Sequence, residues 1–295
     1  MIAVMGASGN TGRVVAEGLL RRGERVRVIG RDAARLRPLA EKGADVASGD
    51  VADAAFLARA FQGAEAAYTL IPPDPRAPDF LAAQDRIGEA TVAGLRTAGV
   101  RRVAFLSSVG ADLPSGTGPI AGLHRQEERL RTLGGATLLL RPGYFFENLH
   151  ASLPLIRHQG VNGGAIAPDV KMAMIATEDI GVAAAAALAT RDFGGVEVRN
   201  LLGPRDLSMA EATAILGRAI GKPDLAYVQF PYDAFGQALV GAGLSGDMAR
   251  LYVEMSRAFN EGRIRAVGGR TAASTTPTTL ESFAGRLAAA YAAAG

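Results

Sequence analysis

Glycines fall at 6, 9 and 12 in "VMGASGNTGRVV", with Ser8, Asn10 and Thr11 among them and an apolar run on each side. Here glycine contributes by what it lacks. Gly6 permits a tight turn. Gly9 removes the Cβ that would keep an anion off the main chain, and Gly12 lets a helix pack close to a strand. Bare N–H groups at a helix start, with the helix dipole behind them, then hold negative charge. A strand, this turn and a helix together imply a seat for a dinucleotide pyrophosphate. The spacing is G-x-x-G-x-x-G rather than the commoner G-x-G-x-x-G. Its place after the first strand of a βαβ pattern makes it specific.

The second strand, "RVRVIG", ends on Gly30 and Arg31. A cofactor without a 2′-phosphate usually meets an Asp or Glu at such a strand end. A guanidinium there suits a phosphate dianion instead, and a carboxylate would repel it. Asp32 competes as a ribose acceptor, although it also stands where the next helix needs an N-cap. The pattern favours NADP(H). Asp50 and Val51 follow the third strand, where Asp50 either meets the adenine amino group or caps "VADAAFLARAF". Leu70, Ile71 and Pro72 end the fourth strand and are expected to border the adenosine and the nicotinamide ribose.

These residues need a sheet that brings strand ends to one edge. Apolar runs at Ile2–Met5, Arg25–Ile29, Ala44–Ala47, Ala66–Ile71, Arg102–Leu106 and Ala136–Leu140 alternate with amphipathic segments at Thr11–Arg22, Asp32–Glu41, Ala52–Phe61, Phe80–Ala98 and Leu123–Leu133. Such β-α repeats read as α/β: a Rossmann-type, doubly wound parallel sheet with helices on both faces. After Pro142 the rhythm changes. A helix is expected at Phe145–Arg157. A strand then runs into a helix capped by Thr177, with another strand at Val196–Leu202. A further helix is opened by a Ser208–Glu211 capping box and stopped by Gly221. The expected division is an NADP-binding domain over residues 1–150, to which 175–202 return. Residues 151–174 and 203–295 form a smaller, mostly helical substrate-side domain. The alanines at 183–187 are expected to let their helix approach the sheet closely.

Composition narrows the chemistry. The chain has 295 residues, no cysteine and a net charge of +3. Without cysteine there is no disulfide, thiolate metal site or cysteine nucleophile. His124, His150 and His158 show no paired metal-ligand spacing, so no metal is expected. The basic residues are dispersed and lack interleaved aromatics, so no nucleic acid is expected. No apolar stretch is long enough for a membrane span. The first residues do not read as a signal peptide, so a cytoplasmic location is expected. The oligomeric state is left open.

Seven segments, "MGASGNTGR", "GRD", "LSSVGAD", "HRQEERLR", "LLLRPGYFFENL", "ATEDIGVAAAAAL" and "LLGPRDLSMAEA", run in order from Met1 to about residue 215. In them the chain resembles the NmrA-like branch of the atypical short-chain dehydrogenases. The resemblance implies a Rossmann-type NADP-binding domain with a small C-terminal substrate domain. Relatives are of two kinds: reductases of quinones, dyes or phenolic ethers, and redox sensors that bind the dinucleotide without turning it over.

Typical short-chain dehydrogenases protonate a carbonyl oxygen with the tyrosine of Tyr-x-x-x-Lys. No tyrosine here has a lysine four residues on, and Ile120 and His124 stand where that pair belongs. The chemistry left is reduction of a small planar conjugated acceptor, quinone- or enone-like, by direct hydride transfer. Such an acceptor delocalises the incoming electrons, and the protein supplies orientation. His124 is the candidate catalytic residue, as proton source or ribose holder. Its alternative is a surface histidine paired with Glu128. Ser107 and Ser108 end the fifth strand and either orient the carboxamide or substrate, or cap a turn. Tyr144, Phe145, Phe146 and Asn148 follow the sixth strand as candidates to bind the flat substrate, or belong to an interdomain core. Rival readings are an NADP-sensing regulator and a biosynthetic enzyme using the fold for cyclisation or isomerisation.

Overall fold

The computed structural model describes residues 1–293. Its first half is a regular alternation: β1 (Ile2–Met5), α1 (Asn10–Leu20), β2 (Val26–Gly30), α2 (Ala33–Ala40), β3 (Asp45–Ser48), α3 (Ala54–Phe61), β4 (Ala66–Thr69), α4 (Phe80–Ala98), β5 (Arg102–Leu106), α5 (Ile120–Arg131) and β6 (Ala136–Pro142). After it come β7 (Tyr144–Phe145), a 3₁₀ helix (Phe146–Ser152), α6 (Leu153–Gln159), β8 (Asn162–Gly164), β9 (Met172–Ile175), α7 (Thr177–Thr190) and β10 (Val196–Leu201). The chain continues through β11 (Asp206–Leu207), α8 (Met209–Ala219), β12 (Tyr227–Gln229), α9 (Tyr232–Gly241), α10 (Gly246–Asn260) and α11 (Leu280–Ala293).

Seven parallel strands form the central sheet in the order β10-β6-β5-β4-β1-β2-β3. The order reverses between β1 and β4, the crevice where open α/β sheets bind ligands. β1 is buried on both sides, which is why it reads as an unbroken apolar run. Alternate residues serve opposite faces. Ile2 and Val4 pack with α1, α2 and α7, while Ala3 and Met5 pack with α3, α4 and α5. The Rossmann-type sheet expected from the sequence is present, with β10 as its seventh strand.

Small residues let α7 pack on the sheet, with Ala184 and Ala185 in one cluster with Val4 and Tyr68, and also close against α1. A Cβ on Gly181 would lie 2.5 Å from the Val14 Cβ, and one on Gly18 would lie 2.9 Å from the Ala185 Cβ. A separate apolar cluster gathers Phe146, Leu149, Ile156, Leu216, Phe259 and Phe283 from the later elements. Among the described residues no helix is long and apolar enough to cross a membrane.

Several local expectations are corrected. The segment 145–157 is not one helix: Phe145 closes a short strand, and a 3₁₀ turn precedes α6. Thr177 does not cap α7. The Glu147 carboxylate does so from a distance, accepting from the Thr177 N–H at 3.1 Å and from its hydroxyl at 2.5 Å. α3 is capped by Asp53, not Asp50, and α5 begins at Ile120 rather than Leu123. The fourth strand ends at Thr69, so Leu70 and Ile71 belong to the following loop. The Ser208–Glu211 capping box is present as read.

Candidate functional site

The glycine turn is built much as its spacing implies. Gly6 has a φ of +69°, so a side chain there would be strained. A Cβ on Gly12 would run into the Gly6 carbonyl and Ala7, so this glycine closes the turn on itself rather than merely seating a helix on a strand. Gly9 is different. Only the Gly6 oxygen, at 3.3 Å, lies near its missing Cβ, so the space outside belongs to no protein atom. Gly9 and Asn10 are exposed and Ser8 is half-buried. The Thr11 side chain is buried beside the fully enclosed Tyr68, whose hydroxyl is pushed up by burial and partly brought back by Thr11. What Thr11 offers an anion is its N–H.

Helices α2, α3, α4, α8 and α10 each close their N-terminus with an Asp or Ser oxygen. At α1 the N-cap is Gly9, and no side chain accepts from the first turn. Those amides therefore face outward with their dipole unspent. Asp32 is spent locally, accepting from the Ala34 N–H at 2.9 Å. Arg31 is exposed, with no ion pair or hydrogen bond to any described residue. Asp50 accepts from the Ala52 N–H at 2.9 Å. Val51 and Ile71 turn their side chains into the core, so only their main chain is left for a ligand. Leu70 lies over Gly6, with Cδ2 2.9 Å from where a Cβ would stand. Pro72 is half-buried at the same edge.

At the ends of β5 and β6 the structure adds what local patterns did not reveal. The Ser107 hydroxyl donates to Glu127 Oε1 at 2.5 Å. Arg141 grips the same carboxylate twice, Nε to Oε1 at 2.9 Å and Nη2 to Oε2 at 2.6 Å. All three are buried, at 3%, 1% and 8% exposure. Hydrogen bonding to Glu127 holds the Arg141 guanidinium above its ordinary pKa. The signal that could have found this pair is a lone arginine inside "TLLLRP", since a charge in a buried strand requires a partner. Ser108 donates to the Val109 carbonyl at 2.9 Å.

His124 does not pair with Glu128, which instead binds Arg131. Its Nδ1 lies 2.9 Å from the Ala111 carbonyl. A carbonyl only accepts, so Nδ1 carries the proton and Nε2 of the neutral ring is left as an acceptor. Phe146 is corrected outright. It is 1% exposed and its ring packs 5.5 Å from Phe283, so it is core and not substrate surface. Phe145 packs on the α1–α7 side of the sheet. Tyr144 is half-buried and Asn148 exposed. Burial, then the nearby Tyr252, pushes the Tyr144 hydroxyl up to about 12, with Asn148 opposing.

A strand, a capless glycine turn and a switch-point crevice define a dinucleotide fold, and comparison with known proteins places it. The NmrA-like family matches over residues 1–284. The chain belongs to that family. It is 29% identical over 251 residues to the NAD(P)H azoreductase of Xenophilus azovorans, covering 84% of each chain. It is also 29% identical over 269 residues to quinone oxidoreductase 2 of Escherichia coli (strain K12), covering 89% of each. A crystal structure of the NADPH-dependent quinone oxidoreductase QOR2 from Escherichia coli, complexed with NADPH, superposes with a TM-score of 0.81. It is 27% identical, and the match covers 97% of this chain and 99% of that one.

Proposed function

We propose that this NmrA-like chain binds NADPH across the carboxyl edge of its sheet and reduces a small, flat, conjugated acceptor of the quinone type. The observation that carries the reading is the α1 N-terminus. It is the first turn of the sheet, it has no side-chain cap, and the space outside Gly9 is unclaimed by protein. That is the chemistry a pyrophosphate requires. Relatives that use NAD(P)H on azo and quinone acceptors support the redox reading.

Arg31, free at the end of β2, would take the 2′-phosphate. The amides of residues 10 to 12 would hold the pyrophosphate, with Ser8 and the Asn10 side chain beside it. Leu70, Pro72 and the main chain of Val51 and Ile71 would border the nucleoside portions. His124, its Nδ1 committed to Ala111, would accept from a ribose hydroxyl through Nε2. Bound there, a dihydronicotinamide supplies a hydride, and one solvent proton completes the conversion of a quinone to a hydroquinone. The residues of this chain do the positioning.

The test is to mix the protein with NADPH and a panel of quinones and an azo dye while following the nicotinamide absorbance. Turnover with at least one planar acceptor is expected. Tight NADPH binding with no turnover across the panel would replace the reductase reading with that of a dinucleotide sensor.

A further inference from the structure

We propose that Tyr144 and Tyr252 form the seat for the acceptor's polar edge, donating hydrogen bonds from their phenols to a quinone-type carbonyl oxygen. The inference rests on the reading above, that a planar acceptor enters this cleft.

The two side chains belong to different elements. Tyr144 follows β6, and the Val109 N–H donates to the Pro142 carbonyl at 2.9 Å, sewing the ends of β5 and β6 together beside it. β7 then runs parallel to β9, with Tyr144 in register with Met174. Tyr252 comes from α10, which lies across the starts of two sheet helices. At one end Asp247 accepts from the Phe80 N–H at 2.9 Å, and the Ser245 N–H donates to the Pro75 carbonyl at 2.9 Å. At the other, Glu254 accepts from the Gly118 N–H at 3.3 Å. Gly118 has no room for a Cβ, because the Leu251 carbonyl fills that place. Helix α10, with Tyr252 beside Leu251 and packed on the Phe80 cluster, therefore crosses the segments that follow the carboxyl ends of β4 and β5.

The Tyr227 and Tyr68 hydroxyls are not available for this role. Tyr227 spends its proton on the Ile166 carbonyl at 2.8 Å. Tyr232 accepts from Asn260 and lies under Arg257. Tyr68 is enclosed in the core. The Tyr144 hydroxyl has Asn148, Tyr252 and Tyr227 near it, and the Tyr252 hydroxyl has no hydrogen-bond partner among the described residues. Burial raises both phenols, and Tyr252 lies close enough to Tyr144 to raise that hydroxyl further. Both thus stay neutral donors across the working pH range. A neutral phenol pair matches a carbonyl oxygen, which has two lone pairs and no proton.

The experiment loads the protein with oxidised NADP, so that no turnover occurs, and measures binding by calorimetry. The probes are 2-methyl-1,4-naphthoquinone and its carbonyl-free counterpart, 2-methylnaphthalene. Tyr144→Phe and Tyr252→Phe keep the rings and remove only the hydroxyls. Each is expected to weaken the quinone by roughly fivefold to tenfold and leave the hydrocarbon unchanged. Tyr227→Phe, whose hydroxyl is already spent, is expected to change neither. Unaltered quinone affinity in both variants, or a wild-type protein that holds quinone no more tightly than hydrocarbon, would overturn the seat and leave the reductase reading standing. A loaded wild-type protein that binds no quinone at all would overturn both.

Discussion

Replacing Arg31 by alanine tests how the cofactor is chosen. Arg31 stands at the end of β2 with its guanidinium unpaired, and the neighbouring Asp32 is consumed by the start of α2. A charge-assisted hydrogen bond to a 2′-phosphate is worth about 1.5–3 kcal/mol. At about 1.4 kcal/mol per tenfold, that corresponds to roughly 10- to 150-fold in affinity. Arg31 is exposed, so salt screens it and the lower end applies: about tenfold at physiological ionic strength. NADH lacks the phosphate and should bind the variant as it binds the parent. The chain has no tryptophan, so enhancement of the reduced nicotinamide's own fluorescence can be titrated against little protein background. The preference of the parent for NADPH should also shrink as salt is raised, while the variant's should stay flat. Equal losses for the two cofactors, or a preference that survives the substitution, would show that Arg31 does not read the phosphate.

Three further outcomes follow from the geometry. Glu127→Ala removes both hydrogen bonds to the buried Arg141, leaving it only Asp112 at 3.8 Å, and should cost roughly 3 kcal/mol in urea unfolding; a loss below about 1 kcal/mol would mean the pair is not buried as described. Gly12→Ala forces a methyl into the Gly6 carbonyl and should cost about 1–3 kcal/mol while abolishing the calorimetric heat of NADPH binding; wild-type heat would contradict a tight turn at this point. Asp85 is pushed up by burial, but hydrogen bonds from Arg125 and Arg129 outweigh this and hold its carboxyl below the usual range. A depressed folded pKa stabilises above the unfolded value of about 3.9 and is lost as pH falls through the folded one. The melting difference between Asp85→Asn and the parent should therefore narrow from about pH 6 to about pH 3, and a constant difference would refute the assignment.

Much of the architecture was legible in the chain itself, because its signals are local. A glycine trio after an apolar run, alternation of short and long apolar segments, an Asp before "AARLRPLAE" and a Ser-x-x-Glu before a helix each act within one turn or one strand. They specified the Rossmann-type sheet, the tight glycine turn after β1, the Asp32 cap of α2, and the capping box of α8. The family membership was legible in the same way, from segments running in order along the chain.

Contacts between distant residues were not legible. Glu127 reads as one more charge on an amphipathic helix until β6 brings Arg141 against it and β5 supplies Ser107. Thr177 looks like a cap until Glu147 takes that role from thirty residues away. Phe146 looks like an aromatic at the cleft until α11 sets Phe283 against it. The placing of Tyr252 depends on α10 pressing on Gly118 and Phe80, contacts spanning well over a hundred residues. Backbone propensity and capping act over a few residues. Partners for buried charge and the direction of an aromatic ring are decided by which surfaces burial brings together, and only the folded chain determines that.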